Sequence, residues 1–279
     1  SIQDRSRAFA RLDSGFSMGR ILGPALAGVL LLISYTAPFY LFALGALFVI
    51  FLITKQKSPP LSKKKDDSKK ISLFDNRVWP FLIVSASFGV CNAALVQTSS
   101  FYFQDVIDPN SSNSIALASV GFMLTALGIL NGQLLIADRL QTSPGSLIRL
   151  GILFIFFSLI GVANSTSLVH IYISLFFYGL GGGMLGPGIS ASLSLSVGKE
   201  NQGSASGFLG MVIPIGHVIS PFISMPLYTI NPSYPYLLGS SLMLLCLIFV
   251  LTNRRHKWIR KKNYREDYKT YTEESSDLP

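Results

Sequence analysis

The chain has 279 residues, of which 49% are hydrophobic and only 13% charged, and its net charge is +9. A soluble domain carries about a quarter charged residues; here the apolar residues are gathered into long runs, which points to a helical membrane protein and away from a large soluble core. Cys91 and Cys246 both lie inside apolar runs, so neither a disulfide framework nor a metal site is implied.

The chain opens in a polar segment, and the expectation is a piece of a longer protein. The first predicted span covers about 16–33. Gly15, Gly19, Gly23 and Ala27 recur every four residues there, with Gly28 following. On a helix they form one stripe without bulk, which in a bilayer lets two helix backbones meet. Pro24 beside the stripe removes a helix hydrogen bond and favours a bend. Taking roughly 17–25 mainly apolar residues per helix, seven more spans follow at about 38–54, 78–99, 116–137, 147–163, 168–195, 208–227 and 235–251. The link 34–37 is short enough to require a tight hairpin between antiparallel helices.

Basic residues fall on one side of this pattern. Segments 1–15, 55–77, 138–146, 196–202 and 252–279, with Arg149 just inside its span, hold every Lys and Arg except Arg20. The alternate connections 34–37, 100–115, 164–167 and 228–234 hold none. The positive-inside rule then places both ends of the chain in the cytoplasm, with the cell membrane as the expected location. Segment 55–77, with Lys63-Lys64-Lys65, Lys69-Lys70 and Pro59-Pro60, reads as a solvated linker. The tail from Arg254 to Lys262 is expected to lie against anionic headgroups. Topology accounts for the positive charge, so a nucleic-acid partner is not expected.

A repeat runs at one constant offset. Gly19-Arg-Ile-Leu-Gly-Pro24-Ala-Leu aligns with Gly216-His-Val-Ile-Ser-Pro221-Phe-Ile, and Ala8, Leu30 and Pro38 align with Ala205, Leu227 and Pro235. The first two spans therefore correspond to the last two, and the repeating unit is six helices in the same orientation. The expected fold is all-α: a polytopic membrane protein of two parallel six-helix repeats, the first incomplete, with eight spans present. Residues 1–54 are the last two helices of the N-terminal bundle, 55–77 the cytoplasmic linker, 78–252 the C-terminal six-helix bundle and 253–279 a cytoplasmic tail. Four further helices are expected upstream.

The pattern Gly15-x3-Gly19-Arg20-x2-Gly23-Pro24-x2-Ala27-Gly28 resembles the fifth-helix signature of drug/proton antiporters in the major facilitator superfamily, Gly-x3-Gly-Pro-x2-Gly-Gly, with Ala27 replacing one glycine. The resemblance spans the whole chain as helices five to twelve. It implies a transporter without a cofactor, working as a monomer in the lipid bilayer. It would export a small drug-like or amphipathic organic molecule in exchange for protons, by alternating access. An uptake porter of the same fold is the alternative, and a polytopic membrane enzyme a remote one: His170, His217 and His256 are scattered, with no intramembrane acid nearby. Asp138-Arg139 stands where the family has an acidic-basic pair after helix eight. Leu134 replaces the glycine four residues before the acid, so a weaker gate contact is expected.

Arg20 is the one charge deep in the first span; it either snorkels to the surface and packs, or takes part in gating. Its repeat counterpart, His217, is either a hydrogen-bonded packing residue or a proton carrier. Asn92 and Gln97 on the third span, Asn131 and Gln133 on the fourth, and Tyr172 and Tyr178 on the sixth either join helices or line a water-filled path. The resemblance implies that these spans, with the seventh, contribute to the central cavity. The string Gly179-Leu-Gly181-Gly-Gly183-Met-Leu-Gly186-Pro187-Gly188 contains a G-x-G-x-x-G pattern, but no βαβ unit surrounds it, so close helix packing is expected instead of nucleotide binding. No Asp or Glu lies deep in any span. The resemblance puts the usual acidic carrier in the first-half helices.

Overall fold

A computed structural model describes Gly19, Gly23, Leu26, Ala27, Leu30, residues 33–55, 71–109, 114–138 (side chains to 133), 143–197 and 201–253. Seven α-helices run through them: α1 (Ala37–Thr54), α2 (Trp79–Tyr102), α3 (Ser114–Asp138), α4 (Pro144–Ala163), α5 (Leu168–Ser196), α6 (Gln202–Ile230) and α7 (Tyr234–Thr252). A π-helical turn, Phe103–Ile107, prolongs α2. Among the described residues there is no strand, and all seven helices are long and apolar enough to cross a membrane.

Proline helps to start four of them: Pro38, Pro80, Pro144 and Pro235 sit in first turns, where a missing N–H costs nothing and the fixed φ suits a helix. The predicted spans two to eight reappear with one large boundary change. α6 begins at Gln202, well before the expected 208. Gly203, Ser204 and Gly207 read as loop, yet Ala205 is buried and that turn is helical. Of the predicted first span only scattered residues are described, so Gly15, Arg20, Pro24 and Gly28 lie outside them.

Helices α2 to α7 form one bundle. α5 packs along both α3 and α4, α2 packs along α6 and α7, and α4 joins α7. Exchanging α2 with α5, α3 with α6 and α4 with α7 maps these pairings onto one another. α2 and α5 cross in opposite directions: Ser196 at the end of α5 donates to the carbonyl oxygen of Arg77 just before α2 (2.9 Å). The bundle is thus a pair of inverted three-helix units. Its ends are chemically distinct. One, the basic end, carries Arg77 and Arg149; the other, the acidic end, carries Asp105 and Asp108.

The core is built around α4, whose Ile148, Ile152, Ile155 and Leu159 are fully buried against residues such as Leu175 and Leu185 of α5. The glycine string explains how α5 comes so close to two neighbours. Gly179 and Gly183 lie directly on the backbone of α3 at Thr125 and Ile129, while a Cβ on Gly181 would stand 2.8 Å from the carbonyl oxygen of Gly151 on α4. The string is helical and packed, as its place in an apolar run suggested. α1 is different: only Pro38 is buried, and Phe39, Leu44, Phe48 and Ile53 are exposed around it. A helix apolar all round needs lipid or partner helices on every side.

Candidate functional site

The structure brings three of the predicted residues together where α2 crosses α6. The crossing is close because both helices have glycine there. A Cβ on Gly216 would stand 2.6 Å from the carbonyl carbon of Gly89, and one on Gly89 3.0 Å from the carbonyl oxygen of Ile213. Ser220 Oγ donates to the carbonyl oxygen of Val90 (3.2 Å).

Beside these contacts, His217 Nδ1 lies 3.1 Å from the carbonyl oxygen of Ile213, which can only accept. That bond assigns the neutral ring's proton to Nδ1 and leaves Nε2 as an acceptor. Asn92 Nδ2 faces Nε2 at 3.5 Å, the outer limit of a hydrogen bond, and Gln97 Nε2 reaches the His217 carbonyl oxygen at 3.5 Å. Gln97 Oε1 is buried with no hydrogen-bond partner.

Further residues extend this seam toward the acidic end. Ser220, Ser224 and Tyr228 follow His217 down one face of α6 at helical spacing. Ser224 Oγ is buried without a partner, and the Tyr228 hydroxyl donates to Asp105 Oδ2 in the π-helical turn (2.9 Å). The sequence did not single out Ser220, Ser224 or Tyr228, and Asp105 was expected in the connection 100–115. The i, i+4, i+8 spacing of the first three was the available signal.

The other candidates lie elsewhere. Asn131 is exposed and returns its amide to the carbonyl oxygen of Leu127 on its own helix (2.8 Å). Gln133 is half-buried on α3. Tyr172 packs on Phe103 and donates to the carbonyl oxygen of Leu117 (3.2 Å), tying α5 to α3 near the acidic end. Tyr178 is buried and stacks on Phe88, with ring centroids 6.2 Å apart, where α5 meets α2. Asp138 ends α3, but its side chain, like Arg139, falls outside the described residues.

At the basic end a cavity of about 300 Å³ opens between α5 and α6, walled by Ser190, Ser194, Gln202 and Ser206 against Leu209 and Ile213. It is rich in hydroxyls and carries no charge. No group of three His, Cys, Asp or Glu among the described residues is placed to hold a metal ion.

A family model described as Major Facilitator Superfamily matches residues 1–221 and, again, 135–274. This chain belongs to the Major Facilitator Superfamily. Within it, the chain is 24% identical to Multidrug resistance protein 1 of Bacillus subtilis over 85% of its own length and 61% of that protein's. It is also 24% identical to the Multi-drug resistance efflux pump PmrA homolog of Lactococcus lactis, over 93% of this chain and 66% of the relative. The same identity holds for Tetracycline resistance protein, class H, of Pasteurella multocida, over 91% and 66%. The chain thus spans under two thirds of the length of these relatives. As a superfamily member it is an integral membrane protein, and α1 to α7 are its described spans.

Proposed function

We propose that the protein is a secondary active transporter that exports a small amphipathic organic molecule by alternating access, driven by inward proton flow. The supporting observation is superfamily membership, together with relatives named for multidrug and tetracycline resistance. The cavity between α5 and α6, uncharged and mostly apolar, suits such a molecule better than a strongly charged one. Binding sites in this architecture lie near the midplane between six-helix bundles. In this reading residues 78–252 are one bundle and 1–54 belong to the other, with 55–77 as the linker.

Exposed Asn131 and half-buried Asn92 and Gln97 lie on helices expected to face the pathway. Tyr172 and Tyr178 support it from their helix contacts, and Gln133 lies two residues beyond Asn131 on α3. Gly15, Gly19, Gly23, Pro24, Ala27 and Gly28 form the pivot where the bundles meet, flanked by Arg20. Asp138 and Arg139 contribute a weak gate contact at the cytoplasmic side. Both chain ends lie in the cytoplasm, the transporter is a monomer, and it performs no enzymatic step.

The test is accumulation of a fluorescent amphipathic cation such as ethidium in cells expressing the protein. Accumulation is expected to fall relative to control cells and to recover when a protonophore is added. Equal accumulation with and without the protein sinks the efflux reading, and insensitivity to the protonophore sinks the proton drive.

A further inference from the structure

α6 carries Pro214, Pro221 and Pro226 in its interior. Each lacks the N–H that would bond the carbonyl oxygen one turn earlier, so the oxygens of Gly210, His217 and Phe222 lose their usual helical partner. In a membrane such freed groups are met by side chains, neighbouring helices or water. At His217 the structure shows the replacement: Gln97 Nε2 of α2 reaches the carbonyl oxygen at 3.5 Å. At Gly210 no side-chain donor among the described residues takes that place, and nothing lies within 4 Å of its Cβ position. Phe222 is covered by its own large, exposed side chain and is not part of the cavity between α5 and α6.

Gly210 does line that cavity. Having no side chain, it contributes backbone to the wall. The cavity has two zones. Its floor is apolar, with Leu193 and Ala205 both buried. Its rim is exposed and polar, formed by Ser190 and Ser194 of α5 and by Ser206 and Gly210 of α6. On the same two helices Ser174, Ser196 and Ser220 turn their hydroxyls to carbonyl oxygens. The three rim hydroxyls have no hydrogen-bond partner among the described residues. A hydroxyl can donate or accept, whereas the Gly210 oxygen can only accept. At about 300 Å³ the space is at the lower end for a ligand site, so it takes one part of a molecule and not a large one whole.

We propose that the Gly210 carbonyl oxygen, freed by Pro214 and flanked by the rim hydroxyls, is a subsite that accepts a hydrogen bond from an uncharged N–H or O–H group of the exported molecule. The apolar part of that molecule rests on Leu193 and Ala205. This rests on the transport reading above and names the chemistry that its cavity selects. Glycine at 210 keeps the oxygen approachable, and proline at 214 keeps it unpaired. A molecule with an amino or hydroxyl group on the edge of an apolar ring satisfies both zones. One of similar bulk without such a donor loses the bond to Gly210 and keeps only the apolar contact.

The test measures binding of two lipophilic cations to the purified full chain in micelles. Ethidium carries amino groups on its aromatic rings; tetraphenylphosphonium has neither N–H nor O–H. Pro214→Ala returns an N–H to the Gly210 oxygen without adding bulk. Ethidium is expected to bind roughly three- to tenfold more weakly to this variant, the share of one hydrogen bond. Tetraphenylphosphonium is expected to bind as before, which also shows that the variant is folded. Pro226→Ala, which acts on the Phe222 oxygen away from the cavity, is expected to change neither. Equal loss of both cations in Pro214→Ala assigns the proline to helix shape and overturns the proposal. Unchanged ethidium affinity, the result for a rim that holds water only, overturns it too, as does an unaltered chain that binds no ethidium. Efflux separates the subsite from the transport reading. Ethidium that binds with this Pro214 dependence but is not exported by cells supports the subsite and sinks transport; export that is indifferent to Pro214→Ala sinks the subsite and leaves transport standing.

Discussion

At the scale of single residues, the bundle is held by a few polar contacts in an apolar setting. The Thr98 and Tyr236 hydroxyls lie 2.8 Å apart, both fully buried, and Tyr236 meets Tyr102 edge-on at 5.1 Å. Tyr236→Phe keeps the ring and removes only the hydroxyl. It should lower stability by about 0.5–1.5 kcal/mol, the usual size of one such bond within a membrane protein, as read from unfolding in mixed micelles. Outside the membrane, Asp75 caps the approach to α2: its Oδ1 accepts from the Arg77 backbone N–H (2.9 Å), and its Oδ2 pairs with the guanidinium (2.8 Å). The Arg77 guanidinium first, then that N–H, hold the Asp75 carboxyl below its ordinary range. A depressed folded value means that the contact's contribution is complete above the unfolded value of about 3.9 and is lost as pH falls through the folded one. The chemical shift of the Arg77 amide should therefore stay constant at neutral pH and move only in acid below about pH 4. A shift centred near neutrality refutes this, and Asp75→Asn should remove the acid step.

At the scale of elements, the glycines decide which helices touch. Gly216→Ala puts a methyl carbon onto the Gly89 backbone, which no rotamer change can relieve. The expected cost is about 1–3 kcal/mol, as for other overpacked contacts, along with a wider α2–α6 separation measurable by spin-label distances. Gly207, on the same helix, has open space around its Cβ position. Gly207→Ala should be neutral or stabilising by up to about 1 kcal/mol, since alanine favours helix. Equal losses at the two positions would refute the close-contact argument. The sequence showed the glycine string of α5 and its helical setting, and the structure added the division of labour. Gly179 and Gly183 face α3, whereas Gly181 faces α4.

At the scale of the whole molecule, the pivot proposed for the 15–28 stretch makes a separate demand. A Cβ on Gly19 or Gly23 would meet nothing within 4 Å in this structure, so a small side chain there should be harmless to the described bundle. If the stripe seats another helix during transport, Gly23→Leu should abolish efflux while membrane insertion and protein level stay normal. Full efflux by that variant, in the same ethidium assay, would remove the pivot from the account.

The spans were legible because crossing a membrane depends on about twenty consecutive residues and on little else. The lysine and arginine pattern likewise carries an expected orientation without reference to any partner. Superfamily membership was accessible for a related reason, since the 15–28 motif and its echo at 216–221 are local strings. Which polar residues meet was not legible. Helices apolar on every side carry no mark of which face turns inward, so Asn92, Gln97, Asn131, Gln133, Tyr172 and Tyr178 all looked alike. The tertiary structure separated them through backbone approach: glycine at 89 and 216 lets α2 and α6 close until Asn92 and Gln97 reach His217, while Asn131 on α3 bonds within its own helix. The inverted three-helix symmetry had the same source. It is a relation between packed helices running in opposite directions, and a search for strings repeated in one direction passes over it. Chain composition and spacing determined that the protein crosses a membrane and where; the packing of small residues alone decided which side chains share a site.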